Sequence, residues 1–268
     1  MPSDIFVVVV SYNGLENTKK CVMSLTNQSA DVRVLVWDNA STDGTKEWLS
    51  SQDDVEYFLS DKNLLWTPAI NEAIKKYHKN EPIICFMNND IFIDSDVLGK
   101  LSATAEKPQV GLVAPVGSSL GGVQDYASHQ DTYNSYGPEV RVNYIVGAMC
   151  LLRHDVWKRV GILDPIMPLG ADDHDYSIRT KHTGLEIIVR SDVYVEHVGH
   201  ATGDSDNWNS FSSSSWKAFE EKWSGYYASE EEAIESHWGN LYNDEFPIGT
   251  GWSEEKYNIV NKELIDAA

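Results

Sequence analysis

The chain has 268 residues, 42% of them hydrophobic, which is enough for one substantial core with an appendage and too little for two full domains. Its formal charge of −20, from 41 acidic against 21 basic residues, gives an average field that repels polyanions, so bare nucleic acid and anionic lipid surfaces are disfavoured as partners. No apolar run approaches membrane-spanning length and the opening Met1-Pro2-Ser3-Asp4 lacks a positively charged leader, so a cytoplasmic protein with no membrane span is expected.

The first half alternates short β-rich runs with helix-period segments, the pattern of βαβ units around a mainly parallel sheet. Residues 5–10 read as a buried strand, 17–27 as a helix and 32–37 as the second strand. A helix follows over 42–49, with the turn pair Asp43-Gly44 near its start, and then a third strand over 55–59. Thr67 and Pro68 read as N-cap and first residue of a helix running to about His78. Residues 83–87 form a fourth strand, and Ser95 caps a helix through about Ala105. After a strand at 110–113, residues 117–138 turn rich in Gly, Ser, Tyr and Gln, too polar for core, and read equally as a loop over a substrate or a surface insertion. Strand 142–152, helix 154–160, helix 175–182 closed by Gly184, and strands 186–189 and 193–198 complete the core. Beyond Asp204 the composition shifts to Trp, Ser, Tyr and Glu, with helical segments at 214–223, 230–238 and 254–265. The acidic runs there, Glu220-Glu221 and Glu230-Glu231-Glu232, read as solvated helix faces. Cys21, Cys85 and Cys150 lie far apart among apolar residues, which suits buried thiols better than a disulfide frame or a zinc site.

In open α/β sheets ligands bind beyond the carboxyl ends of the parallel strands, and here three strands end in polar residues: Ser11-Tyr12-Asn13, Asp38-Asn39 and Asn88-Asn89-Asp90. One glycine in Ser11-Tyr12-Asn13-Gly14 does not make a dinucleotide fingerprint, and no GxxxxGK[ST] loop occurs, so phosphates need a cation rather than a cradle of amides. Asp90 at its strand end suits Mg²⁺ or Mn²⁺. Asp172-Asp173-His174-Asp175, which follows Gly170 and opens a helix, is a second acidic constellation. N-terminal capping accounts for one or two of these carboxylates, and a general base accounts for the crowding of three beside a histidine. Glu196-His197-Val198-Gly199-His200 ends the last strand, where a neutral imidazole is a good Mn²⁺ ligand or simply a structural histidine.

These pieces resemble, in order, the family-2 inverting glycosyltransferases of GT-A fold, particularly rhamnosyltransferase-like bacterial and phage members. The matching residues are Val9 to Asn13, Trp37-Asp38-Asn39-Ala40-Ser41-Thr42-Asp43-Gly44-Thr45, Asn63 to Asn71, Phe86 to Asp90, Gly147-Ala148, Gly161 to Asp164, Asp172 to Asp175 and His197-Val198-Gly199, spanning about residues 5–202. The resemblance implies a GT-A domain over 1–203, with nucleotide-sugar binding in about 1–115 and the acceptor and catalytic part in about 140–203, followed by a helical extension over 204–268. It implies that Ser11, Tyr12, Asn13, Asp38 and Asn39 hold the nucleoside, with Asn63, Asn71, Asn88 and Asn89 also on the nucleotide-sugar side. Asp90 would coordinate Mn²⁺ or Mg²⁺ with help from His197, and Asp173 would be the catalytic base, with Asp172 orienting it or the acceptor. Phe219-Glu220-Glu221-Lys222-Trp223 looks like the family's Phe-x-x-Lys-Trp stretch past the core.

The sequence departs from that pattern in three places. Asn88-Asn89-Asp90 has one carboxylate where the motif often has two, Leu64 to Pro68 replaces a stretch of small residues, and Met167 to Gly170 replaces an aromatic approach to the acids. The expected activity is inverting transfer of a sugar from a UDP- or dTDP-linked donor to a hydroxyl of a glycan or other acceptor. A non-catalytic carbohydrate-binding protein, its many Trp and Tyr stacking on sugar rings, is the alternative from another class. A nucleotidyltransferase ranks below both, because the basic, Gly-rich loop it needs after the first strand is missing.

Overall fold

Four consecutive valines, Val7 to Val10, make an interior strand of the sheet, because β-branched residues buried on both faces suit an interior parallel strand. The computed structural model describes residues 4–53, 55–199, 205–224 and 254–268. Its strands are β1 (Ile5–Ser11), β2 (Val32–Asp38), β3 (Glu56–Leu59), β4 (Ile83–Asn88), β5 (Ile91–Phe92), β6 (Val110–Gly117), β7 (Glu139–Val142), β8 (Met149–Arg153) and β9 (Glu186–His197). They lie in the order β3-β2-β1-β4-β8-β6-β9-β5, with β7 also paired to β9. The pairings run β1, β2, β3, β4, β6 and β9 in one direction, so the sheet is mainly parallel as expected.

β8 runs against its neighbours β4 and β6, and this reversal places the site. Its first residue, Met149, lies opposite Met87 near the end of β4, and Asn88 N–H donates to the carbonyl of Ala148 at 2.9 Å. The segment 143–148 is thereby delivered to the same edge as the carboxyl ends of β1, β2 and β4.

The helices are α1 (Leu15–Thr26), α2 (Thr45–Leu49), α3 (Trp66–Tyr77), α4 (Val97–Ala105), α5 (Tyr126–Tyr136), α6 (His154–Val160), α7 (Asp172–His182), α8 (Ser205–Lys222) and α9 (Glu254–Asp266). Alternate residues of β1 divide between two apolar cores. Phe6, Val8 and Val10 meet Ala69, Ile70 and Ala73 of α3 and Val156 and Trp157 of α6 on one face, while Ile5, Val7 and Val9 meet Cys21, Val22 and Leu25 of α1 and Leu98 and Leu101 of α4 on the other. All three cysteines are free and buried.

Several elements differ from the sequence reading. The run 142–152 is two strands, because the chain leaves β9 at Val142 and crosses to the sheet centre before β8; its linking residues are still buried at Ile145 and Ala148, which made the run look continuous. Conversely, the segments 186–189 and 193–198 are one strand, β9 (Glu186–His197), in which Ser191, Asp192 and Val193 bulge between the pairings of Pro115 with Arg190 and of Val116 with Tyr194. Residues 117–138 are not all surface: they hold a 3-10 turn at Gly122–Gln124 and α5, with Val123, Gln124 and Tyr133 buried.

Thr67 is not the cap of α3. Leu65 holds that position at φ 65°, and the amides of Trp66 and Thr67 donate to the carbonyl of Pro168 at 3.0 and 3.2 Å. Nor does Ser95 cap α4: Gln28 Oε1 accepts from Leu98 N–H at 3.1 Å instead. α7 starts at Asp172, before the expected Asp175, with Ala171 preceding it at φ 62°. α8 starts at Ser205, well before 214, and the segment 230–238 lies outside the described residues.

The carboxy-terminal helices are fastened to α7 by charge as well as by apolar contact. Phe219, Trp223 and Tyr257 pack with Met167, Ala171 and Ile178. Lys222 Nζ reaches Asp164 Oδ2 at 2.8 Å and Asp175 Oδ1 at 2.7 Å, while Arg179, fully buried, bonds Asp175 Oδ2 at 2.8 Å and the carbonyls of Val160 and Ile162 at 2.9 Å. Gly161, at φ 96°, lets α9 approach, since a Cβ there would stand 2.7 Å from the backbone of Leu264. Removing one partner of a buried ion pair strands the other charge in a poor solvent. Lys222→Met should therefore cost about 3–5 kcal/mol of stability, read as a lower denaturant midpoint; a variant with an unchanged midpoint would show the cluster to be energetically neutral.

Candidate functional site

A cavity of about 610 Å³ opens at the strand ends, lined by Tyr12, Asn39 and Asn63 on one side, Asn88, Asn89, Asp90 and His197 at its floor, and Gly147, Asp172 and Asp173 on the far side. Trp66 and Leu169 contribute apolar wall, and Asn209 of α8 closes part of the rim. Residues from both halves of the sequence thus meet in one space, as expected of the constellations singled out above.

Ser11, Asn13, Asp38 and Asn71 are not on the wall. They stand behind it. Ser11 is fully buried with its hydroxyl 3.0 Å from that of Thr18. Asn13 ties two strand-end loops together, its amide N–H donating to Ser41 Oγ at 2.7 Å and its Oδ1 accepting from Thr42 N–H at 2.8 Å. Asp38 is fully buried, with Oδ2 accepting from Ser41 N–H at 3.0 Å; burial raises its carboxyl pKa, and the Ser41 bonds only partly offset that. Asn71 clamps the backbone of one residue, accepting from Leu163 N–H at 3.1 Å and donating to the Leu163 carbonyl at 2.8 Å.

The asparagines on the wall are held by backbone and side-chain partners together. Asn39 Oδ1 accepts from Trp37 Nε1 and Leu64 N–H, and its amide donates to the Leu65 carbonyl at 2.9 Å. Asn63 Oδ1 accepts from Leu65 N–H at 2.8 Å. Asn89 donates to Thr18 Oγ1 at 2.9 Å and to the Asn13 carbonyl at 3.0 Å, joining the ends of β1 and β4.

At the floor, His197 Nε2 lies 3.4 Å from Asp90 Oδ1 and 3.5 Å from the Asn88 amide nitrogen. Nδ1 faces the Ser119 carbonyl at 3.1 Å, and because a carbonyl only accepts, Nδ1 carries the proton. Burial pulls the His197 pKa down, but the Asp90 hydrogen bond and charge and the Ser119 carbonyl outweigh it, so the net shift is upward. Asp90 Oδ2 accepts from Gly199 N–H at 3.1 Å, so Oδ1 and the His197 Nε2 face each other at the floor. Among the described residues no three His, Cys, Asp or Glu side chains form a ready metal cage. One carboxylate, one imidazole and a neighbouring amide fit a divalent cation whose remaining positions a ligand's oxygens fill.

On the far side, Asp172 and Asp173 have separate environments. Asp173 accepts at Oδ2 from Tyr144 O–H and Gly147 N–H, both at 3.1 Å, and at Oδ1 from His174 N–H at 2.9 Å and His174 Nδ1 at 3.0 Å. Burial pushes its pKa up, but the hydrogen bond and charge of His174 and the Gly147 amide outweigh this, holding the carboxyl below the usual carboxylate range. Asp172 Oδ1 accepts from Gly170 N–H at 3.1 Å; burial and then the charge of Asp173 push its carboxyl well above that range. The two neighbouring carboxyls are thus pushed in opposite directions, Asp173 toward the ionised form and Asp172 toward the protonated one.

Sequence reasoning missed Tyr144, Ser119 and Asn209. Tyr144 was hidden in an apolar run that reads as strand, and Ser119 in a polar stretch with no pattern. Gly147 did carry a signal: a Cβ there would stand 3.2 Å from Asp173 Cβ, a tight contact, so the absence of a side chain eases the loop's approach to the acid.

Residues 6–157 match the family model described as glycosyl transferase family 2. The chain is 25% identical over 214 residues to the glycosyltransferase AglE of Haloferax volcanii, an overlap that covers 75% of this chain and 68% of that protein. Among solved structures it is similar to the mannosyltransferase PcManGT from Pyrobaculum calidifontis in complex with GDP-Man and Mn²⁺, at 18% identity and TM-score 0.59, covering 100% of this chain and 69% of that one. It is also similar to GalNAc-T7 with UDP, GalNAc and Mn²⁺, at 13% identity and TM-score 0.65 over 98% of this chain and 55% of that one, and to S. aureus TarS 1–349, at 15% identity and TM-score 0.58 over 86% and 77%. These likenesses establish the fold as GT-A.

The placement of Asn71 behind the wall has a measurable consequence. Asn71→Ala leaves both polar groups of Leu163 without their partner and should cost about 1–3 kcal/mol of stability, with ligand affinity at the cavity unchanged. Normal stability with weakened ligand binding would return Asn71 to the wall.

Proposed function

The chain belongs to glycosyl transferase family 2, and on that premise we propose that it transfers a sugar from a nucleoside diphosphate donor to a hydroxyl acceptor with inversion. The observation that carries this reading is the division of one cavity between an ionised carboxylate on one side, Asp173, and a ligand-poised Asp90 and His197 at the floor. The strand-end side with Tyr12, Asn39 and Asn63 takes the nucleoside, of UDP or dTDP type, and Ser11, Asn13 and Asp38 keep its loops in place from behind. GDP-Man with Mn²⁺ in PcManGT and UDP with Mn²⁺ in GalNAc-T7 support a nucleotide ligand and a cation on this fold.

In the transfer, the acceptor oxygen forms its bond to the anomeric carbon as the bond from that carbon to the diphosphate oxygen breaks. The electron pair leaves with the diphosphate, and the hydroxyl proton passes to Asp173. Attack from the face opposite the leaving group inverts the centre. Asp90 and His197, with Asn88 beside them, would hold Mn²⁺ or Mg²⁺, which when bound neutralises charge growing on the diphosphate. Asp172, protonated, keeps a second negative charge away from Asp173 and leaves that carboxylate as the proton acceptor.

Two measurements test this. Asp173→Asn keeps the size and removes the proton acceptor, so transfer should fall by about 10² to 10⁴ while nucleotide binding survives and the wild-type product has inverted configuration. Near-normal turnover in that variant, or a retained configuration, would sink the base assignment. Calorimetry with UDP and dTDP should give tighter binding with Mn²⁺ or Mg²⁺ than with EDTA, and Asp90→Ala should remove the metal-dependent part. Equal affinities under all these conditions would overturn the cation site.

A further inference from the structure

An ionised carboxylate offers about four lone-pair directions, and in Asp173 each oxygen already has two donors within hydrogen-bonding distance. A base so fully engaged must release one position when an acceptor hydroxyl presents its proton. Three of the four donors cannot yield cheaply: Gly147 N–H and His174 N–H are main-chain groups, and the His174 ring is packed edge-on against Trp216 of α8 at 4.8 Å. The fourth is the hydroxyl of Tyr144. Its hydrogen can turn about the C–O bond, and its oxygen can accept as well as donate.

Tyr144 is itself well placed. It sits on the segment 143–148 that reversed strand β8 brings to the cavity edge, and its ring stacks on His174 with centroids 3.9 Å apart and planes inclined by 29°. Burial, then the charge of Asp173, pushes the phenol pKa well above its ordinary value, so Tyr144 stays protonated and faces Asp173 as a donor.

We propose that Tyr144 is a positioning residue for the transfer step: its hydroxyl holds Oδ2 of Asp173 in place and gives up that position to the incoming acceptor hydroxyl. This rests on Asp173 being the base. The stack on His174, whose Nδ1 holds the other oxygen, makes Tyr144 and His174 a bracket around the carboxylate, and Trp216 extends that bracket to α8. A residue outside the matched family segment, Trp216, thus supports the group that takes the proton.

The test is Tyr144→Phe, alone and in the Asp173→Asn background. Phe keeps the ring that stacks on His174, so melting temperature and nucleotide affinity serve as the folding controls. The expected result is a kcat lowered roughly 10- to 100-fold with KM for the nucleotide sugar within about twofold, and less than about a twofold further loss when Asp173 is already Asn. A kcat within about twofold of the parent, alongside an impaired Asp173→Asn, would overturn the role of Tyr144 and leave the base assignment standing. Equal losses in both backgrounds would reduce Tyr144 to general support of the fold. If Asp173→Asn itself keeps its turnover, the base assignment fails and the role of Tyr144 falls with it.

Discussion

The arrangement depends on how one helical turn distributes three carboxylates. Successive residues of a helix point about 100° apart, so Asp172, Asp173 and Asp175 in the first turn of α7 have different surroundings. The first two line the cavity, and Asp175 is fully buried between Arg179, Lys222 and Trp223. Burial would push the Asp175 carboxyl up, but Arg179 and Lys222 outweigh that and keep it ionised. That charge cluster fixes the rotation of α7 about its own axis. Turning the helix by one residue would part Asp175 from Lys222 and Trp223, pull Arg179 from the carbonyls of Val160 and Ile162, and carry Asp173 away from Tyr144 and Gly147. The buried side of the helix is therefore what makes the cavity side accurate.

Much of this was legible in the sequence. Strand ends are readable because apolar runs stop at polar residues, so Tyr12, Asn39, Asn88, Asn89 and Asp90 could be placed before any coordinates were known, and the acidic cluster at Asp172 announced itself by density. Whether a polar residue faces the cavity or the core behind it was not legible. Ser11 and Tyr12 are adjacent and differ only in which side of β1 they leave, and Asp38 bonds Ser41 N–H where Asn39 reaches the wall. Period-two alternation ends with the strand, so it says nothing about the loop that follows. The crossing at 143–148 was hidden for the opposite reason: its residues are apolar because they are buried, not because they form a strand.

The matched family segment ends at residue 157, before the acids of α7. The wall with Tyr12, Asn39 and Asn63 and the floor up to Asp90 lie within that segment, while Asp172, Asp173, His197 and the α8 residues lie beyond it. Reversed strand β8 bridges the two parts, because it belongs to the matched segment and yet carries the loop that grips Asp173. One wall of the cavity is thus organised by short strand-end loops tied together through side-chain amides. The other depends on tertiary packing of helices distant in sequence.

The carbonyl of Pro168 accepts both leading amides of α3, joining the wall that carries Trp66 to the segment that enters α7. The hydroxyl of Thr67 adds a bond across the same seam, donating to the Met167 carbonyl at 3.1 Å, so every acceptor in it is a main-chain carbonyl. The side chains of Trp66 and Leu169, which line the cavity, take no part in these bonds, so its apolar wall can be altered one residue at a time while the two walls keep their spacing. A joint of this kind makes the pocket easy to diversify: its lining can change without moving the wall that carries Asp173.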